Sequence, residues 1–239
     1  MTQVDLFERQ WDTYRGIIDH DWMEHRGLTA ACAAALESWM AAHPERHGRA
    51  RLADLGCGDL ALMDPVFRAL PLGSYVGVDL TEQVLPMAAE SLESAPFPTR
   101  FVCADVSDFI ESTGEEFDLV HASLVLHHLD DEAKVRFLSA LRRRIRTDGA
   151  FLWADVFCEP GEPRPDYASR YARRIRRDWL AIDEDDRESI VTHMCTYDFP
   201  ADRVAIVVAA QRVGWRWDWL WHGSHRAEAV AVLTPAEPA

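Results

Sequence analysis

The run Arg51-Leu52-Ala53-Asp54-Leu55-Gly56-Cys57-Gly58-Asp59 constrains this chain more than any other part of it. Leu52 and Leu55 suit a buried strand, and Gly56 and Gly58 follow at once. Residues without a Cβ let the backbone turn sharply and come close to a ligand. A short apolar strand, a Gly-x-Gly turn and a following helix make a nucleotide site at the carboxyl end of a parallel sheet. The run therefore predicts an α/β protein with its ligand where that strand ends.

The spacing downstream strengthens this. A second strand-like run, Ser74-Tyr75-Val76-Gly77-Val78-Asp79, ends in an acid 21 positions after Gly58. A carboxylate about 20 residues past the turn can accept hydrogen bonds from both ribose hydroxyls. Arg100 to Asp105 again ends in an acid, Phe117 to Ala122 reads as a fourth strand, and Ala150 to Val156 as a fifth. Helical patterns separate them, so the expected fold is doubly wound and mostly parallel, with ligand at the strand ends.

These residues resemble the class I S-adenosylmethionine-dependent methyltransferases. Asp54-Leu55-Gly56-Cys57-Gly58 is similar to that family's glycine motif, Val76-Gly77-Val78-Asp79 to its ribose motif, and Cys103-Ala104-Asp105-Val106 to its adenine motif. Phe117 to Val120 with Leu126-His127-His128-Leu129 resembles its fourth strand and the loop beyond, and Leu141 to Phe151 the helix, turn and strand that follow. The resemblance spans about residues 51 to 157 and, more loosely, the C-terminus. It implies a seven-stranded sheet with an antiparallel last strand. Trp215 to Trp221, the turn His222-Gly223-Ser224 and Ala227 to Leu233 read as the hairpin that would supply it. It further implies S-adenosylmethionine as cofactor, bound by Asp54, Gly56, Cys57, Gly58, Asp79, Leu80, Asp105, Val106 and Ser123, with Tyr14 reaching over it. One position departs from the pattern: Leu60 stands where a third small residue is common, which would narrow the pocket. Gly56-x-Gly58-x-x-Ala61 also satisfies the nicotinamide dinucleotide fingerprint. A nicotinamide-dependent oxidoreductase thus stays open, as does a non-catalytic binding protein of the same fold.

At 239 residues the chain suits one domain with appendages. The expected organisation is a helical N-terminal cap over 1–48, a Rossmann-like core over 49–157, a helical lid insertion over 158–198, and a C-terminal helix with hairpin over 199–239. Forty acids stand against 25 Lys and Arg, for a formal net charge of −15. That argues against nucleic-acid or anionic-membrane partners, which need a basic footprint. Five cysteines with no Cys-x-x-Cys pair suit a reducing compartment. Met1 to Glu8 lacks an apolar signal region and no run of about 18 apolar residues occurs, so a cytoplasmic protein is expected. The oligomeric state is not legible.

The acceptor site is read from the appendages. Trp11, Tyr14, Ile18 and Trp22 recur at helical spacing, so residues 4 to 42 are expected to be helical. Tyr14, Arg15, His25 and Arg26 are candidates to touch the cofactor's carboxylate or the substrate. Cys158 to Pro165 reads as a stiff loop, Asp166 to Ile182 and Asp183 to Met194 as two helices, and Asp198-Phe199-Pro200 as the start of the last helix. Arg170, Arg173, Arg174 and Arg177 share a stripe, from which Arg174 is the chosen candidate to grip a substrate carboxylate. Tyr197 and Asp198 are further substrate-side candidates. For proton transfer the order of preference is His128, His127, then His193, since a neutral imidazole can take a proton from an attacking amine, hydroxyl or thiol. No His and carboxylate spacing reads as a metal site. The expected activity is methyl transfer to an N, O or S atom of a small polar metabolite.

Overall fold

The computed structural model describes residues 13–237. Trp11 and the polar stretch Met1 to Glu8 lie outside them. Strands β1 (Ala50–Leu55), β2 (Leu72–Asp79), β3 (Thr99–Cys103), β4 (Phe117–Ser123), β5 (Ile145–Cys158), β7 (Trp215–His222) and β8 (Glu228–Pro235) form one sheet in the order β3-β2-β1-β4-β5-β8-β7. The first five run parallel, and β8 pairs antiparallel with both β5 and β7. The chain order reverses between β1 and β4, where neighbouring connections leave in opposite directions and open a crevice.

Helices cover both faces. The N-terminal part is α1 (residues 13–19) and α2 (His25–Ala42), with positive φ at Asp21 and Glu24 between them. The expected continuous helix is thus broken, and Trp22 lies in the turn. Next come α3 (Asp64–Ala69), α4 (Leu85–Ser91), α5 (Val106–Ser112) and α6 (Asp131–Arg142), then α7 (Arg164–Asp178), α8 (Glu184–Tyr197) and α9 (Arg203–Arg212). Aspartates start four of them. Asp105, Asp130, Asp183 and Asp202 each accept a bond from a backbone N–H of the first turn, satisfying donors that a helix start leaves open.

Several boundaries differ from the sequence expectation: β5 begins at Ile145, α7 ends at Asp178 and not Ile182, and α8 runs on to Tyr197. Helix α7 begins at Arg164, because Pro165 sits in its first turn, where a missing N–H costs nothing. The last helix begins at Arg203 and not near Asp198. Ala201 and Asp202 first pair with Phe157 and Cys158 as a two-residue strand, β6, and Asp202 then caps the helix.

Strand alternation sends residues to two cores. Ala53, Leu55, Val120 and Phe151 pack with Phe109, Phe137, Leu138 and Leu141 on one face. Leu52, Leu119 and Leu152 pack with Leu28, Leu36, Trp39 and Phe67 on the other. A third cluster joins Ile17 to Tyr167, Tyr171, Ile175, Trp179, Val191 and Met194 over the end of β5, with Trp22 stacked on Trp179 at 5.3 Å. Full burial of each such side chain is worth about 1.5–3 kcal/mol, enough to fix these helices on the sheet. No described helix is long and apolar enough to cross a membrane.

Candidate active site

A cavity of about 530 Å³ opens at the carboxyl ends of β1, β2 and β4. The glycine turn after β1 is its floor. The Gly56 and Cys57 amides both donate to the Val78 carbonyl, which folds the turn back onto β2. Gly56 and Gly58 have φ of +72° and +53°. A Cβ on Gly56 would meet Val125 at 2.8 Å, whereas one on Gly58 would meet nothing within 4 Å. Gly58 therefore faces open space, the kind of cradle a ligand fills and a side chain would obstruct. Leu60 holds the left-handed conformation too, with φ +64°, and so does Leu124 in the opposite wall, with φ +53°. At Leu60 the backbone keeps a shape glycine would take freely, while its buried side chain packs under the cavity.

Four carboxylates line the otherwise mostly apolar walls. Asp79 accepts the Gly58 amide through Oδ2 at 2.9 Å and the Thr81 amide through Oδ1 at 2.8 Å. Those two bonds fix its orientation and leave further lone pairs for a ligand hydroxyl. Asp105 spends Oδ1 on capping α5, and Asp59 accepts the Ala61 amide. Asp54 is buried and receives the Tyr75 hydroxyl at 2.9 Å and His121 Nδ1 at 2.7 Å. Burial alone would depress the His121 imidazole, but the Asp54 carboxylate overrides it and lifts the group to about 10.

The N-terminal residues form the opposite wall. The Tyr14 hydroxyl is sunk near Asp59 and Asp79, although its ring stays partly exposed. Burial first, and then those carboxylates, push it up to about 12. His25 is buried at the start of α2, and neither ring nitrogen has a hydrogen-bond partner. Burial lowers it to about 4, so it is neutral near pH 7. An unpartnered buried imidazole facing a cavity is a group waiting for a polar ligand.

The loop after β4 supplies the remaining wall. His128 lines the cavity; burial, then the neighbouring His127, lower it to about 4. His127 is turned away and buried, with Nδ1 2.6 Å from Asp155 Oδ1. Burial works against its protonation, but Asp155 overrides that and raises it. Asp155 is itself lowered against its burial by His127, and Trp153 Nε1 and the Val156 and His127 amides also donate to it.

Of the residues the sequence singled out, Tyr14, His25, Asp54, Gly56, Cys57, Gly58, Asp79, Leu80, Asp105, Val106, Ser123 and His128 line the one cavity. Six do not. His127 faces Asp155. His193 sits behind His128, ring to ring at 5.8 Å. Tyr197 is exposed against His193. Asp198 points at His127 and His128. The Arg26 guanidinium bonds the Asp19 carbonyl. Arg174 is buried outside the cavity, donating to the buried Glu228 Oε1 at 2.9 Å and to the Trp22 carbonyl. Sequence reasoning missed His121, Asp59 and Asp155. A signal existed for two of them, since His121 and Asp155 are polar positions inside strands whose other residues read as buried.

Residues 52–149 match a family model described as a methyltransferase domain. No curated protein matches the chain. Solved structures share its fold at low identity. The YcgJ protein from Bacillus subtilis is 12% identical with a TM-score of 0.59, over 87% of this chain and 99% of that one. A plantazolicin methyltransferase, solved with a substrate analogue and S-adenosylhomocysteine, is 12% identical with a TM-score of 0.63, over 95% and 92%. A magnesium protoporphyrin IX methyltransferase from Synechocystis PCC 6803, solved with S-adenosylhomocysteine, is 16% identical with a TM-score of 0.55, over 88% and 86%.

Proposed function

We propose that this chain, a class I methyltransferase that uses S-adenosylmethionine, transfers the methyl group to a nitrogen, oxygen or sulfur atom of a small polar metabolite. The observation that carries the reading is Asp79. Its carboxylate is clamped by two backbone amides at the cavity floor, beside the open space over Gly58. It is thereby set to accept from both ribose hydroxyls, with Asp105 toward the adenine amino group.

When bound, the cofactor supplies a methyl group on a positively charged sulfur, already activated for in-line displacement. The chain's task is to hold the acceptor on that line and keep water out. Asp59, Asp79 and Asp105 give the walls an acidic field that suits a cationic cofactor. His25, with both ring nitrogens unpartnered, and Tyr14 fit the methionine end or the acceptor. The cap over 1–48 and the insertion over 158–198 act as lids. The volume suits the cofactor with a modest acceptor, since whole ligand pockets run about 300–1,000 Å³. A proton carried by the acceptor leaves on the His128 side. The formal charge of −15 favours a metabolite over nucleic acid, and a cytoplasmic location fits the unpaired cysteines.

Calorimetry with S-adenosylhomocysteine and with a nicotinamide dinucleotide tests the cofactor, and labelled methyl transfer across small acceptors, RNA and protein tests the substrate class. Dinucleotide binding without S-adenosylhomocysteine binding would overturn the first reading. Robust methylation of RNA or protein would overturn the second.

A further inference from the structure

His127 Nε2, His128 Nδ1 and Asp198 Oδ1 all lie within 4.8 Å of one another. The two histidines come from the loop after β4, and Asp198 from the end of α8, 70 positions further on. Asp198 Oδ1 is buried without a hydrogen-bond partner, 3.9 Å from His127 Nε2 and 3.5 Å from His128 Nδ1. Both distances are too long for a good hydrogen bond. They are close to the edge of a tetrahedron whose ligand bonds are about 2.0–2.2 Å, which is roughly 3.4 Å.

We propose that these three side chains bind one zinc-type divalent ion at the edge of the cavity. The surroundings are built for it. Asp155 pairs with His127 Nδ1 at 2.6 Å, which leaves Nε2 as the ring nitrogen turned toward Asp198. A carboxylate behind a ligating histidine orients the ring and makes it a better ligand. The Asp198 segment is pinned from two sides: the Phe199 amide donates to the His127 carbonyl at 2.6 Å, and Arg164 Nε to the Asp198 carbonyl at 2.6 Å. Lys134, held by the carbonyls of Leu129 and Phe199, stands beside Asp155, and Arg164 stands beside Asp198, while Asp198 Oδ1 itself accepts no hydrogen bond.

Two imidazoles and a carboxylate make three protein ligands, the number found where a zinc ion keeps one position open. His128 lines the cavity, so that position faces the space assigned to the acceptor. There the ion would hold an acceptor hydroxyl or thiol and promote loss of its proton to solvent. This role rests on the methyl-transfer reading; the binding of the ion does not.

The test uses the full chain, stripped with a chelator and titrated with Co²⁺ as a coloured stand-in for zinc. One equivalent should bind with visible d–d absorption, and Zn²⁺ should displace it. Asp198→Ala should weaken binding at least 10–100-fold, as should His128→Ala, with circular dichroism unchanged. S-adenosylhomocysteine affinity, measured separately, should stay the same in Asp198→Ala. A folded wild-type chain that takes up no stoichiometric Co²⁺ or Zn²⁺ overturns the proposal, as do variants that bind the ion as tightly as wild type. Metal uptake without S-adenosylhomocysteine binding would keep the site and reject the methyl-transfer reading instead.

Discussion

His121 and Asp54 are paired positions on adjacent parallel strands, and their side chains meet at 2.7 Å beneath the cavity. Asp54 would otherwise be a buried anion with the Tyr75 hydroxyl alone for company. The pair carries a pH signature. His121 is raised from 6.5 to about 10 on folding. The folded state then holds a proton the unfolded chain releases, so the stabilisation is complete below about pH 6.5 and is lost as pH climbs toward 10. Melting temperatures by circular dichroism should fall across that window, and His121→Gln should flatten the fall. Tyr75, pushed well above its ordinary value by burial and by Asp54, stays neutral throughout. An unchanged slope in a folded His121→Gln variant would reject the assignment.

The floor of the cavity gives a second expectation. Asp79→Ala should weaken S-adenosylhomocysteine binding by about 1.5–3 kcal/mol, because a charged acceptor is lost. Gly58→Val should be worse: a β-branched residue is strained at positive φ and its side chain would enter the open space. Calorimetry on both variants decides it, and tight binding retained by Gly58→Val would remove the turn from the site.

The histidines should separate by position. His128→Asn, at the cavity wall, should lower kcat by about 10²–10⁴ while S-adenosylhomocysteine affinity holds. His193→Asn, one layer behind, should change kcat far less. Equal effects of the two in steady-state assays would contradict this ordering.

Arg174 is expected to matter for stability and not for acceptor recognition. Arg174→Met leaves the buried Glu228 with the Tyr171 hydroxyl but without its ion-pair partner, at a cost of about 3–5 kcal/mol in chemical denaturation. Adding Glu228→Gln should restore part of that loss. A raised acceptor KM with unchanged stability would return Arg174 to the substrate side.

The glycine-turn side of the cavity was legible in the sequence because glycine positions and strand-terminal acids are local signals. The Gly58 amide and the Asp79 carboxylate are joined by one hydrogen bond that their spacing announces. The side proposed for the acceptor was not, because its contacts are set by tertiary packing. Asp198 meets His127 and His128 only because a two-residue strand docks Ala201 beside Phe157 and carries the end of α8 with it. Arg174 misled for the same reason. A helical stripe of arginines shows which side chains share a face, but not that Glu228, 54 positions away, waits buried beneath one of them.

The third hydrophobic cluster has a kinetic consequence. Ile17 and Trp22 of the N-terminal segment share it with helices α7 and α8, and Arg174 ties α7 to the Trp22 carbonyl. If the N-terminal cap and the insertion act as the lids proposed above, they are therefore one door, and an opening wide enough to admit an acceptor should also loosen Tyr14 and His25 from the wall. Turnover should then be ordered, cofactor in first and its demethylated product out last, with door opening rather than the chemical step setting the pace. S-adenosylhomocysteine would inhibit competitively against the cofactor and non-competitively against the acceptor, and random-order patterns would mean that the covers move apart.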